Sequence, residues 1–345
     1  MSDLIASLPP SPVAGSSVAG EGDDGSQALR PWRKRRRLPS SPLYAIVRWG
    51  GAGLFAALVI GLIVSIVSQS SQAFAHSGLS FLWSGTWNPD AGDYAGGTLV
   101  AGTVITTLVA MIIVVPIGLG ISVSLSELIP RWLAGPLSTS IEFLAAVPSI
   151  VVGLWALLVL SPLFATDVEP ALERLPVLGW FFHGPAYGPS VLLASVVLAI
   201  MTLPTVVALS RTALGGVPLA DREAAMALGA THWQVVRRTV LPGARSGIAA
   251  AITLAVGRAL GESIAVALVI GNRPAIPHSL LAPGATLGSA IVNQFAEASP
   301  GLGTSAVIAL AGILLLLTIL VNVAGQLLVR RRGGRRLLGV RGAVV

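Results

Sequence analysis

Six apolar stretches, each long enough to cross a bilayer as a helix, constrain this chain more than any other feature. They run over residues 44–68, 98–124, 137–160, 190–210, 247–270 and 304–329. About 20 apolar residues span a hydrocarbon core of about 30 Å as a helix. Inside hydrocarbon every backbone N–H and C=O must be satisfied within the protein. The expectation is therefore an all-α integral membrane protein with six transmembrane helices. A composition 54% hydrophobic and 11% charged over 345 residues agrees, because a water-soluble fold could not hide so much apolar surface.

The basic residues orient the spans. Of 22 Lys and Arg, nineteen fall in the two ends, the connection 125–136 and the segment 211–246. Only Arg174 and Arg273 lie in the connections 69–97, 161–189 and 271–303, and Arg258 lies within a span. The positive-inside rule then puts both termini and 211–246 on the cytoplasmic side of a multi-pass protein. Residues 1–42, rich in Ser, Pro, Gly and Ala before turning basic, read as a disordered tail, and 331–345 as a second basic tail. The membrane domain between them is 43–330, with a core at about 98–329. The Ala-Phe-Ala at 73–75 imitates a signal-peptidase site, but the first span exceeds the roughly 7–15 residues of a signal core and reads as an uncleaved anchor. Trp83, Trp87, Trp132 and Trp180 fall near span ends, as interfacial aromatics do. Pro116, Pro148 and Pro204, with Gly118, Gly120 and Gly153, interrupt spans; they suit either a pathway that opens and closes or close helix packing.

Several chemistries are excluded. With no cysteine there are no disulfides or thiolate sites. The only lysine is Lys34, so the chain has no Walker A phosphate loop, and any ATP is hydrolysed by another subunit. His76, His183, His232 and His278 are scattered outside the spans, which argues against a metal site. It also denies Ser263, in Gly-Glu-Ser-Ile-Ala, the base that a serine nucleophile needs. No catalytic residue, metal or cofactor is expected.

Segment 219–245 reads as two helices with a hinge. Pro218 presets the entry, Asp221 and Glu223 sit in the first turn where the helix dipole favours negative charge, and Gly229 stands where a left-handed cap residue is wanted. Thr231 with Gln234 forms a capping-box pattern, and Pro242 is expected to end the second helix. An amphipathic interfacial helix pair, or a helix-turn-helix DNA reader tethered to a membrane, would also fit the hinge alone. The fuller pattern resembles the EAA loop of ABC-importer permeases, which docks the ATPase. Glu223, Ala224, Ala225, Gly229, Leu241 and Pro242 fall on it, with Thr239 in place of the usual isoleucine.

The resemblance extends along the chain. Trp-Asn-Pro at 87–89, Gly-Thr-Val-Ile-Thr-Thr at 102–107, Ser-Glu-Leu-Ile-Pro at 126–130, the run 141–155, Gly-Arg-Ala-Leu-Gly-Glu-Ser-Ile-Ala-Val at 257–266 and Asn-Gln-Phe-Ala-Glu-Ala at 293–298 are together similar to the PstC-type permeases of bacterial phosphate-specific ABC importers. Ser263 stands where a threonine is commoner. The resemblance implies a type I importer permease in the cell membrane, a heterodimer with a sister permease, two ATP-binding subunits, an extracytoplasmic phosphate-binding protein and inorganic phosphate as cargo. No nucleic acid is implied. A molybdate or sulfate importer would keep the EAA loop without needing Arg258 and Glu262 at this spacing.

Arg258 and Glu262 are the expected substrate-pathway residues. If the fifth span begins near Gly247, a rise of about 1.5 Å per residue puts Arg258 about 16 Å deep, near the midplane. A charge there should face a cavity or a partner. Glu262, four residues on, is expected on the same helix face. The guanidinium can clamp a phosphate oxyanion through two N–H bonds, and the carboxylate can hold the arginine or accept a proton; a structural ion pair would use the same two residues. Glu127 and Glu142 read as helix-end or interfacial carboxylates, and Asn293 and Glu297 as polar groups of an outer loop.

Overall fold

The computed structural model describes residues 42–85, 87–174, 181–185 and 187–340. Most of the N-terminal tail, Trp180 and residues 341–345 lie outside them. The chain divides into two units, Met1–Ala57 and Leu58–Val345. The described part of the first is the opening of helix α1, Pro42–Gln69.

After a short helix at Ser71–Ser77, the chain continues with α2 (Gly97–Val123), α3 (Arg131–Ala146), α4 (Ser149–Glu173), α5 (Val191–Gly215) and α6 (Leu219–Ala227). After these come α7 (His232–Leu260), α8 (Ile264–Val269), α9 (Leu287–Gln294) and α10 (Leu302–Val340). The only strand-like pairing among the described residues is an isolated bridge between Asn88 and Asp93. Among the described residues, six helices are long and apolar enough to cross a membrane.

Two spans lie elsewhere than expected. The third is 149–173 rather than 137–160. The residue before a proline is pushed out of the helical region, and Val147 accordingly adopts ψ 128° ahead of Pro148. That break leaves α3 as a separate helix. The fifth span is 232–260, not 247–270: it starts inside segment 211–246 and stops at Gly261. At the C-terminal end, α10 continues helically through residues 331–340, which the sequence assigned to a tail and where no proline intervenes.

Pro242 does not end its helix. Among the described residues four wide π turns occur, at Ser124–Leu128, Ala156–Leu160, Phe164–Val168 and Val236–Val240. A proline stands two residues after each, at Pro130, Pro162, Pro170 and Pro242. A proline ring meets the carbonyl one turn back and leaves it without a donor. Widening that turn, so that Leu241 N–H donates to the Val236 carbonyl five residues back, relieves the conflict. At Pro162, Pro170 and Pro242 the helix runs on; at Pro130 it stops.

Helix α5 is the centre of the bundle. Val191, Leu193, Ala194, Val197 and Val206 are fully buried, packed among residues of α2, α4, α7 and α8. A second apolar cluster joins Phe81, Trp87, Tyr94 and Leu99 to Leu287, Ala306 and Leu310. Trp87 belongs to it, 8% exposed and edge-on to Tyr94 at 5.3 Å, so it is a core residue rather than an interfacial one, unlike Trp83 and Trp132 at 69% and 76%. Gly118 lies against Val206 and Gly153 against Ala265, which makes both packing glycines; Gly120 faces open space.

Candidate substrate pathway and coupling surface

The break after Leu260 decides the geometry of the pathway residues. Arg258 lies in the last turn of α7, exposed, with no hydrogen bond or ion pair to another described residue. Glu262 falls beyond the helix end, in the irregular link to α8, its backbone N–H donating to Ala259 O at 3.3 Å. The two therefore do not share one face of a continuous helix, as the four-residue spacing suggested, and they form no ion pair. On α7, Ala255 and Ala259 point into the core and Gly257 lies against Asn322 of α10, while Ala250, Leu254 and Arg258 form an exposed stripe at four-residue intervals.

Glu262 instead lines a small cavity with Thr103, Thr106, Thr107 and Thr286. The three α2 threonines stand at i, i+3 and i+4, on one helix face. Thr103 is satisfied: its hydroxyl donates to Leu99 O at 2.7 Å and accepts the Leu287 N–H at 2.8 Å. Thr106 is 1% exposed, and its hydroxyl has no partner among the described residues. Gly102 permits the approach, since a Cβ there would sit 2.0 Å from the Ala285 carbonyl oxygen. Sequence reasoning used residues 102–107 as a family signature without assigning them to a site. Their spacing on one helix face was the available signal.

Segment 219–245 forms a hairpin. Gly229 adopts φ +84°, in the left-handed region, and Thr231 with Gln234 closes a reciprocal capping box. Asp221 is in the first turn of α6 and Glu223 just beyond it. Of the six residues on the EAA pattern, Glu223, Ala224 and Gly229 are exposed, Pro242 is half-buried, and Ala225 and Leu241 pack against the apolar cluster of Val123, Leu214, Val217 and Val236. The outer face adds Leu219, Met226, Leu228 (89% exposed) and Trp233, an apolar patch that was not singled out from sequence. Because α7 runs from this hairpin into the bundle without interruption, its first turns are not a free recognition helix, which removes the DNA-reading alternative.

Beside the hairpin a cavity of about 980 Å³ is lined by Glu127, Glu142, Arg211 and Arg222. Arg211 donates to Ser138 Oγ. Glu142 is exposed on α3. Glu127 is more than a helix-end carboxylate: Arg222 Nη1 donates to its Oε1 at 2.8 Å and its Oε2 at 2.7 Å, the one ion pair among the described residues.

Six apolar spans with an exposed hairpin between the fourth and fifth define an integral membrane protein. Residues 115–334 match the family described as "Binding-protein-dependent transport system inner membrane component". The chain is 42% identical over 278 residues to the phosphate transport system permease protein PstC of Pasteurella multocida, covering 79% of this chain and 87% of that protein. It is 39% identical over 306 residues to that of Mesorhizobium japonicum, covering 88% and 93%. The chain belongs to this family of binding-protein-dependent inner-membrane components and, within it, to the PstC permeases. Among solved structures, a bacterial alginate ABC transporter in complex with alginate pentasaccharide-bound periplasmic protein shares the type I permease fold, with TM-score 0.55 and 14% identity over 83% of this chain and 96% of that one.

Proposed function

We propose that this chain is the permease subunit of an ATP-driven importer of inorganic phosphate. It forms half of the translocation pathway beside a sister permease, and both of its termini are cytoplasmic. It catalyses nothing itself; two separate ATP-binding subunits hydrolyse ATP, and an extracytoplasmic binding protein delivers phosphate. The observation that carries this reading is Arg258, a permanent cation exposed on a membrane span with no internal partner. Because this span runs over 232–260 rather than from 247, Arg258 lies in its last turn and not at mid-depth; a charge left against lipid is still costly there, so that face of α7 is covered by a partner chain or an aqueous path. A guanidinium there offers an oxyanion two parallel N–H bonds. The relatives named as phosphate transport permeases support phosphate as that oxyanion.

Glu223, Ala224, Ala225, Gly229, Leu241 and Pro242 serve ATPase coupling, with Leu219, Met226 and Leu228 supplying an apolar surface for a groove on the ATPase. The test is uptake of radiolabelled phosphate in cells whose only permease of this type is this chain with its sister subunit. Uptake should persist in excess molybdate or sulfate. If either anion competes as well as unlabelled phosphate, the substrate assignment is wrong.

A further inference from the structure

Helix α6 is poorly attached to the bundle by apolar contact. Its nine residues include none that is buried, and Ala225 is its only member of the neighbouring apolar cluster. What holds it is Arg222, the other α6 residue turned inward. Its guanidinium joins three elements: Nη1 binds both Glu127 oxygens, and Nη2 donates to Leu214 O at 2.7 Å. Leu214 lies in the last turn of α5, where carbonyls lack intrahelical donors. Glu127 lies in the π turn that ends the second span. The Arg222 and Glu127 side chains are 17% and 6% exposed, so the bond is screened from water.

The other end of that span carries Thr103, Thr106 and Thr107, facing Glu262. From Thr106 to Glu127 the helix extends about 30 Å at 1.5 Å per residue. Ser122, which bonds Gly118 O of its own helix at 2.6 Å, also ties that helix to α5 by donating to Val207 O at 3.3 Å.

We infer that the Arg222–Glu127 pair is the tie through which displacement of the ATPase-docked helix α6 is passed to the second span and so to the cavity holding Glu262. Both are positioning residues, acting through α2 rather than on the anion. A guanidinium already engaged by both oxygens of a carboxylate and by a carbonyl is not an anion receptor; a directional bond between a loosely packed helix and a rigid one is suited to carry force. This inference rests on the reading of α6 as the ATPase-docking helix.

The test uses the whole importer, with sister permease, ATP-binding subunits and binding protein, reconstituted in liposomes. Arg222→Gln and Glu127→Gln should each keep the ATP-binding subunits bound while ATP hydrolysis stimulated by phosphate-loaded binding protein falls at least about fivefold, with uptake falling in parallel. The chain has no cysteine. Arg222→Cys with Glu127→Cys, joined by a short bis-methanethiosulfonate linker that forms a disulfide with each thiol and releases methanesulfinate, should therefore regain stimulation that the unlinked pair lacks. Wild-type stimulation in both Gln variants, or a linked pair as inactive as the unlinked one, overturns the inference. Loss of the ATP-binding subunits from either Gln variant overturns it too, because the pair would then act in docking. Leu228→Glu tests the underlying reading separately: retained ATP-binding subunits in that variant refute α6 as the docking helix.

Discussion

Arg222 and Glu127 are 95 residues apart and meet through two hydrogen bonds. Arg258 and Glu262 are four apart, and no ion pair joins them. In the first pair both charges satisfy each other beside the hairpin and ask nothing of a ligand. In the second, a break at Gly261 turns the carboxylate toward four threonines and leaves the guanidinium on an outer face. The difference teaches that an internally satisfied pair serves the architecture, whereas a pair separated across a helix end keeps both members available to an anion, a proton or a second chain.

The most severe way to break this comparison is to remove the open pair. Charge-assisted hydrogen bonds contribute about 1.5–3 kcal/mol each, so Arg258→Ala should lower phosphate uptake on the order of 100-fold, with Arg258→Lys intermediate. Glu262→Gln should reduce uptake with expression intact. If the two residues were only a structural pair, Arg258→Ala with Glu262→Ala would restore transport by removing the unpaired charge. The double variant should insert and assemble yet stay inactive; uptake near wild type would end the pathway role of both.

Next in size is Gly229→Val. A β-branched residue at φ +84° costs about 1–3 kcal/mol and adds bulk at an exposed turn. The permease should insert normally, lose transport and pull down less of the ATP-binding subunits. An unchanged pull-down would show that the hairpin tip takes no part in docking.

A smaller effect is expected from Thr106→Val, which keeps the shape and deletes the unpartnered hydroxyl. Uptake should fall several-fold while thermal stability holds or rises, because burying an unpaired hydroxyl costs about 1–3 kcal/mol. Thr106→Ser should behave like the wild type. Full uptake in the valine variant would sharpen the comparison by confining the pathway to the charged residues.

Topology reporters should leave function least disturbed. One fused after Val345 should read as cytoplasmic, and one inserted after Gly184, in the connection between α4 and α5, as external. Residue 166, placed in an outer connection by hydropathy alone, is helical and a poor insertion point. The opposite reading at either site would reverse the orientation.

How much was legible in the sequence follows the range of the forces involved. The hairpin was readable because its signals are local: a glycine with positive φ, and a threonine and glutamine three residues apart that cap each other. Six apolar spans were readable from length alone. The third was shifted because hydropathy does not register how Pro148 breaks an apolar run. Pro242 was misread as a terminator because the remedy lies in the turn before it. The Arg222–Glu127 pair was invisible since Glu127 had an adequate local explanation, Arg222 carried no signal of its own, and only the fold brings them together. Glu262, read as lying within the fifth span, falls just beyond its end, and its neighbours were missed for the same reason.

The wide turn at Val236–Val240 also separates chain length from rotational phase. It accommodates one residue more than an α turn, so the helix beyond it keeps the register it would have if that residue were absent. Between Leu241 and Arg258, a one-residue deletion would swing everything beyond it by about 100° and carry the arginine off its face. Within the wide turn the same deletion would restore an ordinary α turn and leave that face in place, provided Pro242 is exchanged for a residue with a backbone N–H. This turn is thus where the segment can change length without re-aiming the charge one span carries into the membrane.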